Sequence, residues 1–228
     1  MYRLIIANKN YSSWSLRPWV LLRTLGIAFE EKLIPFGPHP PGESIAAVSP
    51  SGKVPCLVAD GETIWDSLAI VEFVAERHAG VWPAAPAARA WARCAAAEMH
   101  SGFVALRSHC GMSCGQRVAL HALPRSVGAD LVRIAALWEQ GLARFGGPFL
   151  AGPSFTAVDA FFAPVAFRVQ TYALAMPGPA LGYVQRLLAL PAMRAWYAQA
   201  LGEPWRDAMH EADTQAVGNV TEDFRAAV

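Results

Sequence analysis

The fold of this chain is decided by residues 51–76, which read SGKVPCLVADGETIWDSLAIVEFVAE. Candidate strands over 54–59 and 62–64 flank Asp60-Gly61, and this dipeptide between two strands is the strongest short-range indication of a β-hairpin. Apolar residues then recur at helical spacing over 68–78. The stretch therefore predicts a hairpin followed directly by a helix.

Upstream of this stretch, the chain has the pattern of strand, helix, strand and loop. A short apolar run predicts a strand over 2–7, and a second strand is predicted over 29–34. Helical spacing over 14–25 ends at Gly26, where a helix-terminating glycine belongs. Residues 35–50 hold five prolines and two glycines, which is typical of a loop with at most one helical turn. The order β-α-β, loop, β-β-α predicts a right-handed parallel crossover with an antiparallel hairpin added to the same small sheet.

Downstream of residue 79 the pattern changes, and no further strands are predicted. Helical spacing predicts five helices, over residues 87–106, 126–145, 156–175, 179–190 and 192–201. The last fifteen or so residues are expected to fray. The predicted fold class is α/β plus all-α, a small α/β domain followed by an all-helical one.

The composition restricts the class of protein. Apolar residues make up 54% of the chain and charged residues 16%, which supports a sizeable core and excludes general disorder. A net charge of +1 argues against nucleic-acid binding by bulk electrostatics, and neither a membrane-spanning run nor a signal peptide is recognisable. We therefore expect a soluble, cytoplasmic protein with reduced thiols and without nucleic-acid or membrane partners. The spacing of His109, Cys110, Cys114 and His121 matches no usual zinc signature, so no metal is expected.

The segment between the first strand and the first helix, residues 11–17 (YSSWSLR), places hydroxyls at a predicted helix N-terminus. Free amides and the helix dipole favour an anion there, so Ser12 and Ser13 are candidates to contact one. The alternative is that one of these serines only caps the helix. No cysteine precedes Cys56, which excludes a C-x-x-C dithiol motif, and no G-x-G-x-x-G or Walker loop is present.

Two positions within residues 51–76 are candidates for ligand binding. If the Val54–Pro55 bond is cis, Val54 presents both of its backbone groups to an extended peptide, whereas a trans edge proline is the alternative. Asp66 and Ser67 at a helix start would hold an amino-acid head group. The carboxylate of Asp66 would take the ammonium, and Ser67 with the helix amides would take the carboxylate, unless the pair only caps the helix.

Together these motifs resemble those of the glutathione S-transferase superfamily, and the resemblance covers nearly the whole chain. Residues 51–76 look like the family's cis-proline strand, hairpin and glutathione-binding helix start. Residues 156–159 (TAVD) are similar to the capping box of its buried helix. The resemblance implies a thioredoxin-like domain over 1–80 and an all-helical domain over 87–228.

Within the superfamily, residues 12–17 most resemble the serine loop of the zeta class, which includes maleylacetoacetate isomerases and reads S-S-C-x-x-R. The two serines and the arginine match, whereas Trp14 replaces the cysteine. Thr171 stands where that class carries a substrate-binding arginine, and Arg168 lies about one turn earlier.

The resemblance also implies a role for each candidate residue. Ser12 would activate the thiol of glutathione, the co-substrate, with Ser13 as its main rival. The other glutathione-binding residues would be Lys53, Val54, Pro55, Asp66 and Ser67. The electrophile pocket would be lined by Trp14, Met99, Phe103 and Arg107, although Met99 and Phe103 are also typical of ordinary core. The implied protein is a homodimeric glutathione transferase. The alternatives are a catalytically silent binding or regulatory protein of the same fold and a zeta-type cis–trans isomerase.

Overall fold

The computed structural model describes residues 1–40 and 42–226. Four strands form one mixed sheet: β1 (Tyr2–Ile6), β2 (Phe29–Leu33), β3 (Cys56–Ala59) and β4 (Glu62–Trp65). Their order is β2-β1-β3-β4, and β1 pairs in parallel with β2 and antiparallel with β3. The antiparallel β3–β4 pair is the predicted hairpin.

Three helices connect these strands: α1 (Ser13–Thr24), the single turn α2 (Ile45–Val48) and α3 (Ser67–Ala75). Local sequence explains where the elements turn and end. Asp60 and Gly61 have φ values of 54° and 86°, as the tight turn of a twisted hairpin requires. Asp66 begins α3, because its Oδ1 accepts a hydrogen bond of 2.7 Å from the amide of Leu68.

The second half of the chain is a helical assembly around one fully buried helix. Its helices are α4 (Pro86–Ser101), α5 (Val104–His109), α6 (Arg125–Phe145), α7 (Ala157–Tyr172), α8 (Gly178–Ala189), α9 (Pro191–Leu201) and α10 (Ala208–Val217). Helix α7 begins with the predicted capping box between Thr156 and Asp159. Burial raises the pKa of Asp159 to about 6, although hydrogen bonds from Leu150, Tyr183 and Thr156 oppose that shift.

The thioredoxin-like domain followed by a helical domain confirms the predicted fold class, but the prediction that strands are absent after residue 79 is wrong. Strands β5 (Gln116–Leu120) and β6 (Gly218–Asp223) form a separate antiparallel pair. Most of the described residues that were expected to fray form the end of α10 and the whole of β6. Arg225, which follows β6, forms ion pairs with Glu211 and Asp223. Residues 227–228 lie outside the described part.

A second difference concerns the helix predicted over 87–106, which is interrupted. Phe103 adopts a left-handed conformation with φ of 53°, and α5 begins after it. The carboxylate of Asp130 accepts from the amide of Leu106 in the first turn of α5, so a long-range contact supports the new helix start. Among the helices of residues 1–40 and 42–226, none has the length and apolar character needed to cross a bilayer.

The segment between β1 and α1 is fastened to the second half of the chain. The side-chain amide of Asn10 donates to the carbonyl of Ala200 at 2.5 Å, and its Oδ1 accepts from the amide of Gly115 at 3.2 Å. The amide of Lys9 donates to Glu203 at 2.6 Å, and the indole of Trp196 donates to the carbonyl of Lys9 at 2.9 Å. Residues 11–17, called the serine loop from here on, are therefore positioned by helix α9 and its C-terminal end as well as by the strand and helix that flank them.

Candidate active site

A cavity of about 750 Å³ lies where the serine loop meets the segment before β3 and helices α5, α7 and α10. Six of the residues predicted from the sequence line it: Ser12, Ser13, Trp14, Lys53, Val54 and Arg107. Arg168, about one turn before Thr171, lines it as well, together with Phe36, His210, Asp213 and Thr214, which were not assigned to the site from sequence. The cavity thus unites segments that are far apart in the chain.

The two candidate serines differ in their hydrogen bonds. The hydroxyl of Ser12 donates to the Oγ of Ser15 at 2.7 Å, and Ser15 Oγ also accepts from the amide of Ala7 at 3.4 Å. Ser12 occupies the N-cap position of α1, but its side chain accepts no hydrogen bond from the helix amides. The Oγ of Ser13 instead accepts from Nη2 of Arg168 at 3.4 Å.

Two arginines lie over the ring of Trp14, and a third, Arg168, contacts the neighbouring Ser13. Arg17 is 1% exposed, and its guanidinium carbon lies 4.0 Å from the Trp14 ring centroid, while that of Arg107 lies at 5.2 Å. Arg168 is also buried. Within the described residues, none of these three guanidiniums forms an ion pair with a carboxylate.

Unpaired positive charge in a buried setting carries an electrostatic cost. Burial, followed by the charges of Arg168 and Arg107, holds the pKa of Arg17 well below its ordinary value. Buried donor atoms without a partner remain on all three: Nε and Nη1 of Arg17, Nε of Arg107 and Nη1 of Arg168. Of the three, Arg107 and Arg168 line the cavity, and their positive charges make this side of it suited to an anion.

The start of α3 offers a second set of binding groups. Oδ1 of Asp66 caps the helix, while Oδ2 faces Nε2 of His100 at 3.6 Å. Burial lowers the pKa of His100, and the Asp66 carboxylate opposes that shift. Ser67 is buried, and its hydroxyl has no hydrogen-bond partner among the described residues. Neither Asp66 nor Ser67 is among the residues that line the 750 Å³ cavity.

The remaining predicted residues divide between the cavity and the core. The Val54–Pro55 bond is cis, as predicted, and Val54 and Lys53 line the cavity beside it. Met99 has no exposed surface and Phe103 is 7% exposed; both belong to the core cluster and neither lines the cavity. Trp14 and Arg107 are thus the predicted electrophile-pocket residues that reach the cavity.

Helix α10 closes one side of the cavity with a stack of three rings. The imidazole of His210 lies between Tyr11 and Phe36, with centroid distances of 5.0 and 5.1 Å. Nδ1 of His210 lies 2.6 Å from Oδ2 of Asp207, the N-cap residue of α10. No local sequence signal indicates this stack, because its members come from three distant segments.

Comparison with protein families places two domain models on the chain. Residues 11–77 match the model described as "Glutathione S-transferase, N-terminal domain", and residues 121–199 match "Glutathione S-transferase, C-terminal domain".

Individual relatives are similar over most of the chain. A probable maleylacetoacetate isomerase from Caenorhabditis elegans is 26% identical, covering 81% of this chain and 88% of its own. A stringent starvation protein A homolog from Pasteurella multocida is 24% identical over 80% of this chain and 82% of its own. The solved maleylacetoacetate isomerase of Methylobacterium extorquens, with malonate and glutathione bound, superposes with a TM-score of 0.63 at 21% identity, covering 90% of this chain and all of its own.

Proposed function

Since the chain belongs to the glutathione S-transferase superfamily, we propose that it binds glutathione in the cavity and activates its thiol for attack on a small electrophile. The observation that carries this proposal is the convergence of the serine loop with Lys53 and Val54 on one cavity. The sequence separates these groups by about forty residues, and the fold brings them together.

The proposed binding mode assigns a group to each part of the tripeptide. The backbone of Val54, next to Pro55, pairs with the cysteinyl unit, and Lys53 reaches the glycyl carboxylate. Asp66 holds the γ-glutamyl ammonium through a charge-assisted hydrogen bond, and Ser67 with the first amides of α3 holds its carboxylate. The buried, unpartnered hydroxyl of Ser67 supports this assignment.

Thiol activation requires that the thiolate be stabilised relative to the thiol. A free thiol has a pKa near 8.5, so only a few per cent is ionised at neutral pH. A hydroxyl of Ser12 or Ser13, together with the N-terminus of α1, would donate to the sulfur and lower its pKa. A decrease of two units corresponds to roughly 2.7 kcal/mol. The thiolate would then attack an electrophile held near Trp14 and Arg107.

A second candidate function is cis–trans isomerisation of an acidic substrate. Arg107 and Arg168 line the cavity, and their positive charges favour a carboxylate-bearing molecule. Thr171, in contrast, is buried and donates to the carbonyl of Ser113 at 2.6 Å, so Arg168 is the residue of α7 placed to contact such a substrate. The similarity to a probable maleylacetoacetate isomerase supports the same candidate.

The proposal is tested in two stages. Retention on immobilised glutathione and calorimetric titration first establish whether the tripeptide binds. Turnover of a panel containing neutral electrophiles, carboxylate-bearing electrophiles and a cis-configured acidic alkene then separates conjugation from isomerisation. Binding without turnover of any member would favour a silent binding or regulatory protein. Absence of binding would reject the proposal.

The remaining features that the family resemblance implies are proposals as well. We propose a cytoplasmic homodimer in which residues 1–80 form the glutathione-binding domain and residues 87–228 complete the electrophile pocket. Sedimentation analysis of the purified chain tests the dimer, and limited proteolysis between residues 80 and 87 tests the boundary.

A further inference from the structure

The two loop serines are chemically alike, but their surroundings assign them different roles. We propose that Ser13, rather than Ser12, is the hydroxyl that donates to the glutathione sulfur, and that Arg168 is the residue that positions it. This inference rests on the proposed function and specifies which groups of the site perform it.

The proton of Ser12 is already used within the protein. A serine hydroxyl has one proton to donate and two lone pairs that accept. Ser12 donates that proton to the Oγ of Ser15 at 2.7 Å, and Ser15 is fully buried beneath the loop. Donation to a ligand sulfur would require Ser12 to break this buried hydrogen bond, leaving one acceptor site of Ser15 unfilled.

Ser13 has the opposite arrangement. Its oxygen accepts from Nη2 of Arg168 at 3.4 Å, and within the described residues its proton is donated to no acceptor. A guanidinium has no acceptor atoms, so Arg168 can fix the oxygen of Ser13 but cannot receive its proton. The hydroxyl proton is therefore free to face the cavity that Ser13 lines.

The side chain of Arg168 is itself held in place by the surrounding protein. It lies on the buried helix α7, and its Nε donates to the carbonyl of Cys110 at 2.8 Å. Burial lowers the pKa of Arg168 to about 10, so the side chain is still charged at neutral pH. A charged donor bound to the oxygen of Ser13 polarises its O–H bond and strengthens its donation to an anion.

The proton balance of the step is simple. Glutathione loses its thiol proton to water, and the sulfur keeps the electron pair of the S–H bond. Ser13 keeps its own proton and shares it with the thiolate in a hydrogen bond, and Arg168 keeps all of its protons. Nothing is oxidised or reduced.

The test is a pH titration of the thiolate absorbance of bound glutathione in the full-length protein. The variants are Ser12→Ala, Ser13→Ala, Arg168→Lys, Arg168→Gln and the double variant Ser13→Ala/Arg168→Gln.

We expect Ser13→Ala to raise the pKa of the bound thiol by about one unit or more, because a hydrogen bond to a charged group is lost. Turnover at pH 7 should fall roughly tenfold and recover at high pH. Ser12→Ala should shift the pKa of the thiol by about a few tenths of a unit at most, because its effect on the sulfur is indirect.

The Arg168 variants separate positioning from charge. If Arg168 acts through Ser13, Arg168→Gln raises the pKa of the thiol in the wild-type background but adds little once Ser13 is alanine. Arg168→Lys keeps the charge but lacks the fork that reaches both the Cys110 carbonyl and Ser13, so it should not restore the wild-type pKa. Additive shifts, or full rescue by lysine, would show that Arg168 acts by charge alone and would overturn its positioning role.

The serine assignment has its own decisive outcome and does not depend on the folding of the arginine variants. A shift in Ser12→Ala with none in Ser13→Ala would overturn the inference and leave the proposed function intact. If wild-type protein binds no glutathione, or binds it with an unshifted thiol pKa, the proposed thiol activation itself fails. Circular dichroism and thermal unfolding identify any variant that is not folded, and the two serine variants then carry the test.

Discussion

Two arginines with buried side chains contact the serine loop but have different surroundings. Arg225, after β6, forms ion pairs with Glu211 and Asp223 and donates to the hydroxyl of Tyr11 at 2.9 Å. Arg168, on α7, has a carbonyl and a hydroxyl as partners and one nitrogen with none. Both side chains are almost completely buried, so burial alone does not distinguish their roles.

Their pKa values move in opposite directions for this reason. Burial by itself would lower the pKa of Arg225, but the carboxylates of Asp223 and Glu211 raise it above its ordinary value. Burial lowers the pKa of Arg168, and no carboxylate is among the groups that oppose the shift. The Arg225 cluster is thus complete within the protein, whereas the site around Arg168 is the one that we propose a ligand completes.

The largest effect, a loss of stability, is expected from disrupting the cluster of Arg225, Glu211 and Asp223. Arg225→Gln leaves Glu211 and Asp223 without their cation in a partly buried setting, so the free energy of unfolding should fall by about 3 kcal/mol. Chemical denaturation measures it. Arg3→Gln is the control, because its exposed pair with Glu30 is expected to contribute at most about 1 kcal/mol. Equal effects of the two variants would contradict the structural role of Arg225.

Variants of the proposed ligand site should change the affinity for glutathione rather than the free energy of unfolding. Asp66→Asn removes the ionic partner of the γ-glutamyl ammonium while keeping the shape of the side chain. The dissociation constant of glutathione should rise about tenfold or more, as expected for loss of a charge-assisted hydrogen bond. Isothermal titration calorimetry measures it, and an unchanged constant would remove Asp66 from the site.

A smaller effect on binding is expected from Ser67→Ala. The hydroxyl of Ser67 is buried without a partner, so its removal should leave the free energy of unfolding unchanged within about 0.5 kcal/mol. Affinity for glutathione should nevertheless fall by roughly fivefold, because one hydrogen bond to the carboxylate is lost. A variant that loses stability but keeps affinity would place Ser67 with the structural groups instead.

The smallest effect is expected in the pH dependence of the Arg225 cluster. Hydrogen bonds from Arg225 lower the pKa of Asp223, and those from Arg225 and Tyr11 lower the pKa of Glu211 although burial opposes them. Their contribution to stability is therefore present above the unfolded pKa values of about 4 and is lost as pH falls through the folded values. The stability difference between wild type and Arg225→Gln should shrink below about pH 4. A difference that stays constant from pH 7 to pH 3 would contradict this assignment.

Local sequence signals are sufficient to predict the first half of the fold. Elements that pair with residues far away in the sequence are not predictable in this way. Asp60-Gly61 defines the hairpin, and residues 156–159 define the start of α7, because each signal acts within a few residues. The partner of β5 is about a hundred residues away, so β5 carried no hairpin signal of its own.

The same limit applies to the site. Trp14 and Arg107 line the cavity as predicted, whereas Met99 and Phe103 are buried in the core, which is the alternative that their residue types also allow. The Ser13–Arg168 contact joins side chains 155 positions apart, which a single sequence does not reveal.

The fastening of the serine loop to the helical half has a consequence for modularity. The hydrogen bonds of Asn10 and Lys9 to Gly115, Ala200 and Glu203 hold the loop from outside the thioredoxin-like unit. A transplanted fragment spanning residues 1–80 would carry every strand of the main sheet but would lack these anchors. The proposed glutathione site is therefore a property of the two halves jointly, and neither half can be exchanged for a homologous one without rebuilding the contacts to the loop.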